Sequence, residues 1–287
     1  MQLSGLLRLG ALVFTAVTCI VIGDTAGKVL TAQGASPFFV AWTRFGVAAL
    51  VLLPFSGFQM HELRHLQDWR VLLRAAFIIG GISCILTALK TEPIANVFGA
   101  FFIGPVVSYV LSIIFLRERP SPLRAALLAL GFAGVILVVK PGFGASGGIF
   151  YAVAAGTFYG AYLMMTRLTA GLYRPRFLLI SQLMIGALVL APMGLGTALP
   201  AFTPQISILI AISALGSAAG NYMLVLASKR AEASLIAPLV YSQLISATAL
   251  GIWVFNDWPD ALSLIGLTLI LASGFGSLIA HQRDTPK

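Results

Sequence analysis

Residues 95–139 read ANVFGAFFIGPVVSYVLSIIFLRERPSPLRAALLALGFAGVILVV. Two apolar runs, each approaching the length of a bilayer crossing, flank the charged turn Arg117-Glu118-Arg119-Pro120. The rest of the chain repeats this pattern. Of its 287 residues, 59% are hydrophobic and 9% are charged, against about 25% charged in an ordinary soluble domain. The composition therefore excludes a soluble globular protein.

Cutting at charges, prolines and glycine clusters gives ten apolar segments, roughly 9–30, 37–57, 71–89, 94–116, 123–140, 148–167, 177–196, 205–226, 233–255 and 261–280. Ten crossings of about 20 residues each leave only short loops and no room for a separate aqueous domain. The first segment follows Arg8 as a signal peptide would, but its length, Asp24 and Lys28 favour a retained helix. The formal charge of +9 is scattered between apolar runs rather than gathered on one face, which argues against nucleic-acid binding. Its placement instead gives an orientation, because Lys and Arg stay cytoplasmic in short loops. With the N-terminus inside, Arg8, Arg64, Arg70, Arg74, Arg117, Arg119, Arg124, Arg167, Arg174, Arg176, Lys229, Arg230, Arg283 and Lys287 fall on the cytoplasmic side. Only Lys28, Lys90 and Lys140 fall opposite, and Arg44 lies inside the second segment. Both termini are expected in the cytoplasm.

The halves resemble each other at an offset of 138 to 139 residues. GVAALVLLP at 46–54 matches MIGALVLAP at 184–192; Ala88 and Lys90 match Ala227 and Lys229; Glu118 and Pro120 match Asp257 and Pro259. Residues 1–140 and 141–287 are thus read as two repeats of five segments forming one transport domain, and an odd number of crossings inverts the second copy. Inverted repeats are a usual build of secondary transporters, with the substrate site near the midplane where helices are broken. Gly99, Gly104 and Pro105 interrupt segment four and Pro238 interrupts segment nine. These are the expected hinges, since proline removes a backbone hydrogen bond that only protein or a wet cavity can replace in a membrane.

Segments four and five, with Pro105 thirteen residues before Glu118 and LLALGFAGVILVV after the turn, resemble the repeat unit of the drug/metabolite transporter superfamily in its ten-helix EamA branch. Residues 233–274 resemble its second copy, with Asn256-Asp257 where the family usually has Gly-Glu. The resemblance spans nearly the whole chain and is greatest to bacterial aromatic amino-acid exporters, while Tyr241-Ser242-Gln243 is similar to relatives that carry vitamins or nucleoside-like metabolites. It implies an all-α polytopic protein of the inner membrane, with ten transmembrane helices in two inverted five-helix repeats, working by alternating access. Its implied cargo is a small metabolite, foremost an exported aromatic or other neutral amino acid, with a vitamin, nucleoside-like compound or cationic drug as alternatives. It implies no cofactor, and a monomer or weak homodimer among membrane lipids. Leu244 stands where Pro105 stands in the first half, so unequal bends are expected. A non-transporting interaction protein is the alternative of another class, suggested by the small-residue faces at Gly131, Gly134 and Ser273–Ser277.

Helical spacing puts Phe98, Phe102, Pro105 and Tyr109 on one stripe. At offset 139 their mates are Ala237, Tyr241, Leu244 and Thr248, so Phe102 and Tyr241 are expected to face each other as walls for a flat group. Tyr159, Tyr162, Asn96, Gln182, Asn221 and Gln243 are polar groups at buried depth, suited to a substrate or to helix–helix hydrogen bonds. Charges within the membrane cost about 2.5–3.5 kcal/mol each on insertion scales, which makes Asp24, Lys28 and Arg44 functional candidates. Asp24 and Lys28 share a helix face. All three lie in the outer half, where they could pair with one another, hold a zwitterion, or serve as a structural ion pair. Asp24 is the only acid well inside a segment and so the candidate for proton coupling.

Two motifs suggest enzymes. His61-Glu62-Leu63-Arg64-His65 matches the zinc-protease pattern, but a third ligand is needed and the remaining histidine is His281. Leu63, Leu66 and Trp69 suggest instead a short interfacial helix. Ser146 within Gly144–Gly148 fits a nucleophile elbow only in a strand-turn-helix setting, and no histidine shares its side. Cys19 and Cys84 lie in apolar segments and form no disulfide scaffold. The expectation is a transporter with no catalytic residue and no metal site.

Overall fold

The computed structural model describes residues 3–118, 121–139, 147–197, 200–256, 258 and 260–284, and their side chains except at 3, 4, 95, 96, 138, 139, 234, 238, 263, 274, 275 and 277–284. Lys140, Ser146, Asp257 and Pro259, and the side chains of Asn96 and Pro238, lie outside the described residues.

All regular structure among the described residues is helical. The helices are α1 (Leu3–Ala32), α2 (Pro37–Leu52), α3 (Trp69–Thr91), α4 (Ile94–Phe101), α5 (Ile103–Leu116) and α6 (Pro122–Val139). They continue as α7 (Gly147–Ala170), α8 (Pro175–Leu195), α9 (Pro204–Arg230), α10 (Ala233–Val240), α11 (Gln243–Phe255) and α12 (Ala261–Asp284). A 3-10 helix, Met60–Gln67, joins α2 to α3. Six helical runs are long and apolar enough to cross a membrane, α4–α5 counting as one from Val97, and four shorter helices are apolar too. Large apolar side chains coat the outside: Leu50 is 78% exposed, Leu188 77% and Trp253 83%. Such a surface is stable in lipid and not in water, so the chain is an all-helical polytopic membrane protein.

Local chemistry sets the helix ends. Pro37, Pro175 and Pro204 each open a helix, where the missing N–H costs nothing. Helices α5 and α11 end on Arg117 (φ 53) and Asn256 (φ 57) in the left-handed region, which frees the last carbonyls for capping bonds. These two residues are 139 apart, as are the two helix breaks. The α4–α5 run breaks at Phe102 and the α10–α11 run at Tyr241 and Ser242. Pro105 and Leu244, the basis for expecting unequal bends, both stand in the first turn of the piece after the break. Pro105 sits in the first turn of α5, where its lost N–H has no intrahelical partner to forfeit, and both halves break at equivalent positions.

The most extensive interfaces pair α1 with α9, α3 with α7, α6 with α12 and α2 with α8. Exchanging each helix for its mate 138 to 139 residues away leaves this set unchanged. Glycines permit the closest approaches. A Cβ on Gly134 would lie 2.6 Å from the Gly266 carbonyl of α12, and one on Gly131 2.6 Å from the Tyr241 ring. The small face of α6 is thus spent inside the chain.

The Met60–Gln67 end is tied across the halves. Arg174 grips Glu62 through Nη2 to Oε2 at 2.7 Å and Nε to Oε1 at 3.0 Å, and Glu62 Oε2 accepts the Gln59 N–H. Tyr173 donates its hydroxyl to Asp68, and the His65 ring packs on Tyr173 and Phe177. The Glu62 and His65 of the zinc-protease pattern are therefore engaged in a seam. Burial opposes ionisation of Glu62, but the Arg174 and Gln59 hydrogen bonds and the Arg174 charge outweigh it and hold the carboxyl below its ordinary range. Asp68 is also held low, chiefly by Tyr173, whose own phenol burial and the Asp68 bond push up to about 12. Both carboxyls have folded values below their unfolded ones, so their contribution is complete above the ordinary carboxylate range and fades as pH falls through the folded values. Tyr173 contributes below its ordinary value of 10.0 and loses this between there and about 12. Thermal unfolding in detergent across pH is expected to show both limbs, with Glu62→Gln flattening the acid limb and Tyr173→Phe the alkaline one.

Candidate functional site

The break between α4 and α5 brings the middle of the bundle together. Arg44, seven residues into α2, is 2% exposed and Asp24 of α1 is 1% exposed. Arg44 Nη1 donates to Asp24 Oδ1 at 2.6 Å, Nη2 to the Gly23 carbonyl at 2.9 Å, and Nε to Ser213 Oγ of α9 at 3.2 Å. Ser213 Oγ itself donates to the Gly23 carbonyl at 2.9 Å. An ion pair sealed from water costs heavily in desolvation unless such further bonds satisfy it, and here they reach from the first half of the chain into the second.

Asp24 and Arg44 line a cavity of ≈ 30 Å³ with Ile20, Ile78, Gly81, Ile82, Ile85, Phe101, Tyr159, Ser217, Asn221 and Gln243. Three buried polar atoms on this wall have no hydrogen-bond partner among the described residues: Tyr159 Oη, Asn221 Oδ1 and Gln243 Oε1. The Asn221 amide is held by Nδ2 donating to the Ser217 carbonyl at 2.8 Å, and its oxygen is left as an acceptor. Unpaired buried polar groups cost about 1–3 kcal/mol each. Their convergence on one void marks a place built for a polar guest. A void of this size holds about one water, so a larger guest requires the surrounding helices to separate.

Lys28, one turn beyond Asp24, does not join the pair. It donates to the Glu92 carbonyl at 2.6 Å and lies 5.2 Å from the Phe255 ring centre. Of the arrangements open to the three charges, the structure shows Asp24 paired with Arg44, while Lys28 lies in a separate cleft of ≈ 420 Å³, lined by the ends of α1, α3 and α11. The mate of Lys28 at offset 139 is Arg167, near the end of α7. There the equivalent gap is closed: Arg167 Nη1 donates to the Ser228 carbonyl at 2.7 Å, and Glu118 Oε1 accepts the Ala233 N–H at 3.0 Å. Helix α5 packs closely on α7, while its mate α11 leaves the cleft beside α1. Clefts remain at both ends, that of ≈ 420 Å³ beside Lys28 and one of ≈ 190 Å³ lined by Leu52, Phe55, Ser56, Arg176 and Tyr222 near the Met60–Gln67 end.

The other expected site residues divide. Phe102 and Tyr241 do meet, with ring centres 5.4 Å apart and edge to face, but they are fully buried at the two breaks and do not line the cavity. Phe98 packs on Phe101, and Tyr109 hydrogen-bonds the Ser121 carbonyl at the far end of α5. The continuous stripe of Phe98, Phe102, Pro105 and Tyr109 is corrected, because the break at Phe102 interrupts the helical register and leaves Phe101 on the cavity. Gly104 packs against Gly156 and Gly160 of α7; Gly99 is buried beside the break. Tyr159 and Gln243 line the cavity; Tyr162 does not, and donates instead to Gln182 Oε1 at 3.1 Å.

Sequence reasoning missed Phe101, Ser213, Ser217 and Arg74. Arg74, counted among the cytoplasmic cations at the start of segment three, lies within α3 and is 1% exposed. It donates to Thr166 Oγ1, the Leu178 carbonyl and Tyr162 Oη at 2.8 to 2.9 Å. The offset held part of the signal: Arg74 is the mate of Ser213, Tyr162 of Gly23, and Gln182 of Arg44.

The comparisons with known proteins agree with this architecture. A protein of known crystal structure superposes with a TM-score of 0.72 at 18% identity, covering 94% of this chain and 99% of its own. The riboflavin transporter of Rhizobium johnstonii is 28% identical, over 81% of this chain and 78% of its own. The S-adenosylmethionine uptake transporter of Rickettsia bellii is 25% identical, over 87% and 86%. The profile of the EamA-like transporter family matches twice, at residues 8–140 and 146–279. Two matches that together span most of the sequence settle the assignment: the chain belongs to the EamA-like transporter family.

Proposed function

We propose that this protein is a secondary transporter with ten crossings in two inverted five-helix repeats, its termini cytoplasmic, which moves a small ring-bearing metabolite across a bacterial inner membrane by alternating access. The observation that carries this reading is the central void, where Tyr159 Oη, Asn221 Oδ1 and Gln243 Oε1 stand unpartnered beside the Asp24–Arg44 pair. Two of these atoms can only accept, so the cargo presents N–H or O–H donors to them. Phe101 and Tyr159, with ring centres 4.9 Å apart, supply the flat apolar wall. The symmetric interfaces and paired helix breaks support alternating access, in which the two repeats exchange arrangements about the central site.

The relatives named for riboflavin and S-adenosylmethionine favour a nucleoside-like or vitamin-like cargo. A second reading, an aromatic amino acid, is favoured by the opposite charges of Asp24 and Arg44. Against it, an amino acid pairing with both must compete with a 2.6 Å ion pair. Direction follows the gradients. Counterflow into proteoliposomes with labelled S-adenosylmethionine, riboflavin, L-phenylalanine and L-tryptophan tests the reading. Exchange of at least one is expected, reduced at least tenfold by Asn221→Leu; exchange of none would overturn it, and exchange unchanged by that substitution would move the site elsewhere.

A further inference from the structure

The central pair has a counterpart that lacks an acid. At offset 138 Arg44 corresponds to Gln182, and at offset 139 Ser213 and Gly23 correspond to Arg74 and Tyr162, with Leu163 in the place of Asp24; Arg74, Tyr162 and Gln182 are also in contact. Arg74 Nη2 donates to Tyr162 Oη at 2.8 Å, Tyr162 donates to Gln182 at 3.1 Å, and the guanidinium lies 4.7 Å from the Tyr162 ring centre. In the first set the cation faces a carboxylate; in the second, Arg74 faces the Tyr162 phenol, and the mate of Asp24 is the apolar Leu163. No Asp or Glu among the described residues lies within ion-pair distance of Arg74.

A fully buried guanidinium with only neutral partners is costly in a membrane protein and marks a functional position by default. Of its five N–H groups, three are used by Thr166, Leu178 and Tyr162, which leaves one on each terminal nitrogen. A carboxylate can take such a pair in bidentate fashion. Arg74 is also connected to the void. Phe101 and Tyr159 have ring centres 4.9 Å apart, and Tyr159 and Tyr162 stack at 6.0 Å with 27° between planes. This ladder of rings leads from the central cavity to the guanidinium, toward the Met60–Gln67 end.

We propose that Arg74, with Tyr162 and Gln182, is a second binding station that takes a carboxylate of the cargo as its ring passes from the central void toward the Met60–Gln67 end. The proposal rests on the transport reading above and narrows it to metabolites that join a ring to a carboxylate. A free carboxylate moving alongside a cationic cargo offers the same chemistry, and the experiment separates the two.

Thermal stabilisation of the full chain in detergent is read with L-tryptophan, with tryptamine, which lacks the carboxylate, with S-adenosylmethionine and its decarboxylated form, and with acetate. The wild type is expected to bind the carboxylate member of a pair about tenfold or more tightly than its partner. Arg74→Gln is expected to lose that preference, Arg74→Lys to keep part of it, and Tyr162→Phe to weaken it without loss of folding. Acetate that restores tight binding of the decarboxylated member in wild type, but not in Arg74→Gln, assigns the same station to a free carboxylate. An undiminished preference in folded Arg74→Gln overturns the proposal while leaving the transport reading intact. No stabilisation of the wild type by any probe, together with no counterflow, overturns both.

Discussion

Replacing Asp24 with asparagine is expected to stop transport and to cost about 3–5 kcal/mol of stability, the usual effect of leaving one member of a buried ion pair without its partner. Arg44 is 2% exposed and its remaining bonds go to the Gly23 carbonyl and Ser213 Oγ, neither of which carries charge. Arg44→Gln is expected to behave alike, since it leaves the Asp24 carboxylate in the same apolar setting. Stability alone does not reveal the role of the pair, because a structural ion pair gives the same loss. The double variant Asp24→Leu/Arg44→Met separates the roles. Well-packed apolar replacements of buried pairs are often neutral or stabilising, so folding is expected to return while counterflow does not. Wild-type exchange by the double variant would reduce the pair to scaffolding.

The second large effect is expected at Gly156. A Cβ there would collide with the Phe101 carbonyl, and one on Gly160, a turn later, with the Gly104 carbonyl. These two glycines seat the α4–α5 break on α7, and they bring Phe101 to the Tyr159 ring. Backbone cannot move aside as a side chain end can, so Gly156→Val is expected to cost at or above the about 1–3 kcal/mol typical of overpacking. Little folded protein should be recovered in detergent. Gly46 of α2 is the contrast: a Cβ there meets nothing within 4 Å. Gly46→Ala is expected to leave transport unchanged and to raise stability by about 0.5–1 kcal/mol through helix propensity. Equal tolerance at the two sites, read by fluorescence-detected thermal unfolding, would contradict this packing.

Much of the fold was legible in the apolar segments, because in a bilayer every backbone group is satisfied within a helix and length alone identifies the crossings. The meeting of Phe102 with Tyr241 followed from the repeat offset. The cavity was harder to read. The spacing rule that aligned Phe98, Phe102 and Tyr109 assumes an unbroken helix, and the break at Phe102 invalidates it within one turn. Sequence exposes which residues permit a break, such as Gly99 and Pro105, but the break falls where tertiary packing of α4 and α5 on α7 sets it. Arg74 escaped notice because it lies near a predicted loop, and hydropathy does not separate a cation in the first turns of a helix from one in solvent. Ser213 and Ser217 would have surfaced from Asn221, since the three recur every four residues on one face of α9, and Ser213 is the mate of Arg74.

The central claim is that the void beside Asp24 and Arg44 opens to each side of the membrane in turn. A single cysteine at Ser217, which lines that void, tests this when Cys19 and Cys84 are both replaced by serine. Membrane-impermeant thiol reagents are applied to right-side-out and inside-out vesicles, with and without cargo. The account predicts labelling from both faces, with cargo changing the rate at each. Labelling from one face only, or from neither, in protein that remains folded, would contradict it.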